Sequence, residues 1–321
     1  MRVPLSITAM IATIFLAVPG NGVCTGLDDT FLNSTVLIKY KVDATHDSFG
    51  TGFLLLHLIS SSPKQNQYNY AILLVTNKHV LPREHGSRDI SMRVSIRRED
   101  GTVEAKDVIV PIWGADGKYL KSVGLHPDLK VDVAVVRLNG DDLIRERINL
   151  FYEAAQNRKA LTTDLLIAKG NLREEAIGIG SLIYLLGYPD GIYDSRNVSP
   201  ILRIGVIATE PDKDFAFNVG LRARLPDLPS SIRGFLIDAN VYPGSSGSIV
   251  VECKNIVPGF SSGGITHILG IVSGSIPIDD LGRTQRMGLG IVYSADTIAE
   301  VINLVLTGEE RKVGQLPPQG P

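Results

Sequence analysis

A serine hydroxyl is a weak nucleophile, so a chain that uses one needs a base to take its proton, a carboxylate to orient the base, and donors for the oxyanion that forms. The stretch Asp238-Ala239-Asn240-Val241-Tyr242-Pro243-Gly244-Ser245-Ser246-Gly247-Ser248 precedes the apolar run Ile249-Val250-Val251. Gly244 and Gly247 permit a sharp turn that exposes the Ser246 hydroxyl. The N–H groups of Gly244 and Ser246 are the expected oxyanion donors. A base is available at His79, where the apolar segment Leu74-Val75 runs into Thr76-Asn77-Lys78-His79-Val80. The chain has six histidines (His46, His57, His79, His85, His126, His267), so His79 stands out only by its place at the end of a buried strand. A carboxylate, Asp132, sits at the lip of the apolar run Val133-Ala134-Val135-Val136. Burying it is costly without a hydrogen-bond donor, and an imidazole N–H is a suitable one. Taken singly, Asp132 reads as an ordinary turn aspartate like Asp128.

The elements that must position these residues are short. Apolar or alternating runs at 36–38, 53–56, 71–75, 92–96, 108–110 and 133–136 are too brief for core helices and rich in β-branched residues, which predicts strands. Six strands within about a hundred residues suit a closed barrel or a sandwich. Six more are predicted near 181–186, 201–208, 234–237, 248–253, 267–273 and 287–293. Ser294 is then placed to cap a helix with Ile298, Val301, Ile302 and Val305 on one face and Gly308 as its stop. Residues 141–170 have a different texture, with apolar residues at helical spacing among the charges of 142–152, and are expected to form a helical linker or insertion. The expected organisation is a signal segment at 1–22, an N-terminal β-barrel at 30–140, the linker, a C-terminal barrel with its helix at 171–306, and a disordered tail at 307–321.

With 321 residues, 44% of them hydrophobic, and a net charge of −2, the chain has no basic cluster suited to nucleic acid or an anionic membrane. Met1-Arg2 followed by an apolar stretch at 4–18 and small residues up to Gly22 reads as a cleaved export signal, because a spanning helix needs about 20 apolar residues. An exported protein, periplasmic or extracellular, without stable membrane insertion after cleavage, is the expectation. Cys24 and Cys253 are the two cysteines. In an oxidising compartment they are either one disulfide or two free thiols, and both stay open. Neither has a metal-ligand neighbour, and nothing in the sequence signals an oligomeric state.

Together, the three segments resemble the trypsin-like (chymotrypsin-fold) serine peptidases, most closely the bacterial HtrA/DegP-type branch without a PDZ domain. Thr76-Asn77-Lys78-His79-Val80 is similar to that family's histidine motif, Asp132-Val133-Ala134-Val135 to its aspartate motif, and Asp238-Ala239 with Pro243-Gly244-Ser245-Ser246-Gly247 to its serine motif. Phe49-Gly50-Thr51-Gly52-Phe53 and Leu186-Gly187-Tyr188-Pro189 are similar to its turns in the first and second barrels. The resemblance implies an all-β fold of two six-stranded antiparallel β-barrels with a C-terminal α-helix. It implies a serine endopeptidase that cleaves protein or peptide through an acyl-enzyme, with His79, Asp132 and Ser246 catalytic. Gly244 and Ser246 would form the oxyanion hole, Asn240, Ser273 and Gly274 would line the substrate pocket, and no cofactor or metal is implied. No acidic residue occupies the pocket base, which points to a small or medium apolar side chain there.

Two departures from the family pattern stand out: Ser248 where many relatives have a second glycine, and Ser245 where digestive trypsins have an aspartate that pairs with a freed N-terminal amine. A second match, Ser261-Ser262-Gly263-Gly264, lacks the Asp-Ala and Pro-Gly approach and is expected to be a glycine-rich hairpin. The alternatives are a catalytically inactive binding or scaffold protein of the same fold, against which the intact His79, Asp132 and Ser246 argue, and an HtrA-like quality-control protease, weakened by the missing C-terminal peptide-binding domain.

Overall fold

The computed structural model describes residues 23–308, apart from 25–26, 28, 44, 63–66, 84–85, 98–102, 140–160, 195, 197–198, 227, 254, 257–265 and 281–282. The first half contributes β1 (Val23–Cys24), β2 (Thr35–Lys41), β3 (Asp47–Ser62), β4 (Gln67–Thr76), β5 (Asp89–Arg97), β6 (Val103–Pro111), β7 (Val123–Leu125) and β8 (Ala134–Leu138). The second contributes β9 (Leu182–Gly187), β10 (Ile201–Ile207), β11 (Phe215–Ala216), β12 (Ser231–Ile232), β13 (Gly234–Asp238), β14 (Ile249–Glu252), β15 (Asn255–Ile256), β16 (Ile268–Asp280) and β17 (Arg283–Ser294). All twelve predicted strands are present. In the second half, six of them close into an antiparallel barrel of order β10-β13-β17-β16-β14-β9. The first half is a seven-stranded antiparallel sheet, β6-β5-β2-β3-β4-β8-β7. Its extra strand, Val123-Gly124-Leu125, is three residues long, too short to leave a periodic signal in the sequence.

The apolar runs are continuous rather than alternating because their strands are buried on both faces. On β3, Leu54 and Leu56 join the core inside the first half with Ile38, Ile72 and Leu74. Phe53 and Leu55 face the other way and meet Tyr184, Leu186, Ile249 and Val251 of the second half. The same split runs through the second half, where Ile183, Leu185 and Val250 line the barrel interior with Phe235 and Val292. At about 1.5–3 kcal/mol for each buried aliphatic side chain, the shared layer between the halves is a third core. It fixes one half against the other along a seam.

Ser294 occupies the predicted N-cap and Gly308 ends the helix Ala295–Thr307 in the left-handed conformation. The capping chemistry differs from expectation, since the Ser294 hydroxyl donates to the Arg233 carbonyl and Thr297 Oγ1 donates back to the Ser294 carbonyl. Ile298, Val301 and Ile302 are buried in the shared layer and Val305 packs partly against it, so the helix locks the C-terminal barrel onto the first half. The helical pattern at 142–152 lies outside the described residues, as do the signal segment 1–22, the second serine motif around Ser262, and the tail beyond 308. Of the 141–170 segment, the described part forms short 3-10 turns, Thr163–Leu165 and Lys169–Asn171.

Candidate active site

His79 lies on a single 3-10 turn, Lys78–Val80, directly after β4. Asn77, fully buried, donates its side-chain amide to the Asp132 carbonyl at 2.6 Å, and this bond joins the histidine turn to the aspartate segment. Val131 and Val133 on either side of Asp132 are buried, so the carboxylate is held at the seam. It accepts from His79 Nδ1 at 2.5 Å and from the His79 backbone N–H at 3.2 Å. A neutral imidazole that donates from Nδ1 carries its free lone pair on Nε2, the tautomer of a general base. Nearby, burial pushes the Tyr293 hydroxyl up to about 12, and it donates to the Lys130 carbonyl at 2.6 Å.

Ser273 supplies the link to the serine. The β16–β17 register slips between Val272 and Gly274, which makes Ser273 the extra residue of a β-bulge. A bulge re-aims its side chain out of the normal alternation. Ser273 Oγ donates to Asp132 Oδ2 at 2.7 Å, and its carbonyl accepts from Ser246 Oγ at 2.7 Å. His79, Asp132, Ser273 and Ser246 thus belong to one continuous hydrogen-bonded network across the seam. Among the described residues the Ser246 hydroxyl is bonded to Ser273 rather than to His79.

The turn that carries Ser246 is clamped from the first half by Thr51, whose role the sequence did not reveal. Thr51 is fully buried. Its hydroxyl donates to the Gly244 carbonyl at 2.7 Å and accepts from the Tyr188 N–H at 3.0 Å. Its own N–H donates to the Ser246 carbonyl at 2.8 Å. Gly244 (φ +79°) and Gly247 (φ +90°) are in the left-handed region. A Cβ on Gly247 would lie 1.7 Å from the Thr51 carbonyl oxygen, and one on Gly244 would lie 2.5 Å from that of Tyr188. Glycine is therefore required at both positions by space as well as by dihedral. The Asp190 N–H donates to the Pro243 carbonyl at 2.7 Å, so the 3-10 turn Pro189–Gly191 also braces this segment. Among the described residues the N–H groups of Gly244 and Ser246 have no hydrogen-bond partner, which leaves both available to an oxyanion.

The other expected site residues are nearby. Asn240 is exposed and its carbonyl accepts from Arg203; Gly274 follows Ser273 on β16 with open space where a Cβ would be. Ser248 is fully buried and, among the described residues, its hydroxyl has no partner. The remaining described histidines have separate partners: His46 with Asp43, His57 with Thr163, His126 with Glu300 and His267 with Glu252. Among the described residues no three His, Cys, Asp or Glu side chains form a metal site.

Comparison with solved structures finds similar chains of low identity. The active form of the Rv3671c protease from M. tuberculosis is 19% identical, with 90% of this chain and 85% of that one covered and a TM-score of 0.43. Deg5 is 17% identical over 87% of this chain and 92% of its own, also at 0.43. The scabies mite inactivated protease paralogue S-I1 is 11% identical over 87% and 98%, again at 0.43. No curated protein matches. The trypsin-like peptidase domain, however, matches residues 50–259, more than half the chain and inclusive of Thr51, His79, Asp132 and Ser246, and the chain belongs to that family.

Proposed function

We propose that this chain is an exported serine endopeptidase that hydrolyses peptide bonds through a covalent acyl-enzyme. The observation that carries the proposal is the linkage from His79 through Asp132 to the Ser273 hydroxyl and from the Ser273 carbonyl to Ser246, beside two N–H groups without a partner among the described residues. In the proposed cycle the Ser246 hydroxyl leaves the Ser273 carbonyl, gives its proton to His79 Nε2 and attacks the scissile carbonyl carbon. The oxyanion accepts from the Gly244 and Ser246 N–H groups. Asp132 holds the ring through Nδ1–H and stabilises the imidazolium. His79 then protonates the leaving amine as the C–N bond breaks, and water repeats the sequence to release the acyl group. Nothing in these steps calls for a cofactor.

Beyond Val272, the edge of β16 that faces β14 is past the last ladder partner on that side, Ile271. An extended substrate would add there as a strand along Ser273 and Gly274. Asn240 would flank the side-chain pocket, with a small or medium apolar residue preferred. Export accords with the two cysteines: β1 ends at Cys24 and pairs with β15 two residues past Cys253, and a Cys24–Cys253 disulfide would staple this pairing in an oxidising compartment. Turnover of casein or a peptide library by the purified mature chain, compared with Ser246→Ala, tests the proposal. Hydrolysis lost in the variant supports it; equal hydrolysis, or none in either, overturns it.

A further inference from the structure

Arg203 is a charged residue at an inward position of a barrel strand. Leu202 and Ile204, its neighbours on β10, turn outward with 40% and 61% of their surfaces exposed, so Arg203 turns toward the barrel mouth. Its guanidinium meets only neutral groups: Nη1 donates to the Asn240 carbonyl and Nη2 to Ser245 Oγ at 2.9 Å. Nε is buried with no hydrogen-bond partner, and no carboxylate pairs with the guanidinium among the described residues. Burial draws its pKa below the ordinary arginine value. A half-buried cation with its Nε enclosed and no anion beside it is unfavourable, and an apolar residue of similar volume is commonly the more stable choice at such a place. The fold nonetheless retains Arg203, and both of its acceptors belong to the same short loop.

That loop carries Gly244 and Ser246. Thr51 and Asp190 grip the loop at 243–246, and β16 holds its far end through the Ser246 hydroxyl on the Ser273 carbonyl and the Gly247 N–H on the Val272 carbonyl. Asn240 and Ser245 are gripped from the opposite side by Arg203 alone among charged groups. Ser245 also accepts from the Tyr242 N–H at 3.3 Å, so its hydroxyl draws the loop in on itself as well as onto β10.

We propose that Arg203 is a positioning residue for the oxyanion donors, fixing the 240–245 loop to β10 so that the Gly244 N–H stays directed at the reacting carbonyl. The inference rests on the serine-peptidase proposal above. In this arrangement the loop is braced by an arginine of β10 rather than by an ion pair with residue 245.

The experiment compares wild type, Arg203→Gln, Arg203→Lys and Ser245→Ala by steady-state kinetics on a peptide substrate, by inhibition with a peptide boronic acid, and by active-site titration with a fluorophosphonate. Oxyanion donors act in the transition state, so Arg203→Gln should lower kcat and boronate affinity together by about tenfold or more, with KM within about twofold. Arg203→Lys should recover part of the loss, and Ser245→Ala should show a smaller loss of the same kind. Wild-type kcat and boronate affinity per titrated site in Arg203→Gln would overturn the proposal, even with a lowered melting temperature. If that variant fails to fold, wild-type boronate affinity in both Arg203→Lys and Ser245→Ala overturns it equally. Absence of Ser246-dependent turnover in the wild type is a separate result that removes the peptidase proposal and this one with it.

Discussion

Replacing Thr51 with valine keeps the volume of the side chain and removes only the hydroxyl. That hydroxyl lies between two buried backbone groups, the Gly244 carbonyl and the Tyr188 N–H. Each loses its partner in Thr51→Val, and an unsatisfied buried group costs about 1–3 kcal/mol. The two losses sum to about 2–6 kcal/mol, a large share of the roughly 5–15 kcal/mol that holds a typical domain together. Thr51→Ser keeps the hydroxyl and loses one buried methyl, a cost of about 1 kcal/mol. Urea denaturation should therefore rank wild type, then Thr51→Ser, then Thr51→Val, with the midpoint rather than the slope changing. Peptide hydrolysis should fall in the same order, because the hydroxyl holds the carbonyl of Gly244, one of the two proposed oxyanion donors. A Thr51→Val variant as stable as wild type would refute the clamp. Equal losses in Thr51→Ser and Thr51→Val would refute it too, since they would assign the effect to methyl packing.

Three further outcomes are expected. Gly247→Ala should prevent accumulation of soluble protein, since its Cβ would lie 1.7 Å from the Thr51 oxygen; Gly274→Ala, with open space at that point, should melt as wild type does but raise KM. Ser273→Ala removes one of the donors to Asp132 and, at about 1.5–3 kcal/mol for a hydrogen bond to a charged group, should lower kcat by about ten- to a hundredfold with little change in KM; wild-type kcat would contradict it. The third concerns acid stability. His126 Nδ1 accepts from the Asp128 N–H at 3.1 Å, so its neutral ring donates from Nε2 to Glu300 at 2.9 Å. Burial, with Arg233 and Lys78 nearby, holds its pKa below the ordinary value despite Glu300. Below about pH 6.5 the unfolded chain takes up a proton that the folded ring refuses, so stability falls as pH drops through that window. The Glu300 carboxyl, held down chiefly by its bonds to Arg233, adds a loss at lower pH. His126→Gln should shrink the melting-temperature difference between about pH 7 and about pH 5.5; an unchanged difference would rule His126 out as its source.

Much of the scaffold was legible in the sequence because strands buried on both faces write continuous β-branched runs such as Leu73-Leu74-Val75 and Ile249-Val250-Val251. The helix at the C-terminus was legible through its caps. What escaped depended on tertiary placement. Thr51 reads as a filler between two glycines until Gly244 and Tyr188 are brought to it across the seam. Ser273 meets Asp132 only because of a one-residue bulge, and a bulge leaves no mark on local propensity. Arg203 sits in the mixed run Ile201-Leu202-Arg203-Ile204, where apolar residues occupy both parities and the inward direction cannot be read from alternation. Val123–Leu125 is a strand by virtue of its pairing with β8 and not by its own composition.

Fluorophosphonate treatment of the folded chain, followed by peptide mapping of the adduct, tests whether the network at the seam activates one particular hydroxyl. A single adduct on Ser246, abolished in His79→Ala and Ser246→Ala and retained in Ser262→Ala, is the expected result. An adduct on Ser262, or labelling of Ser246 that is indifferent to His79, would contradict the account.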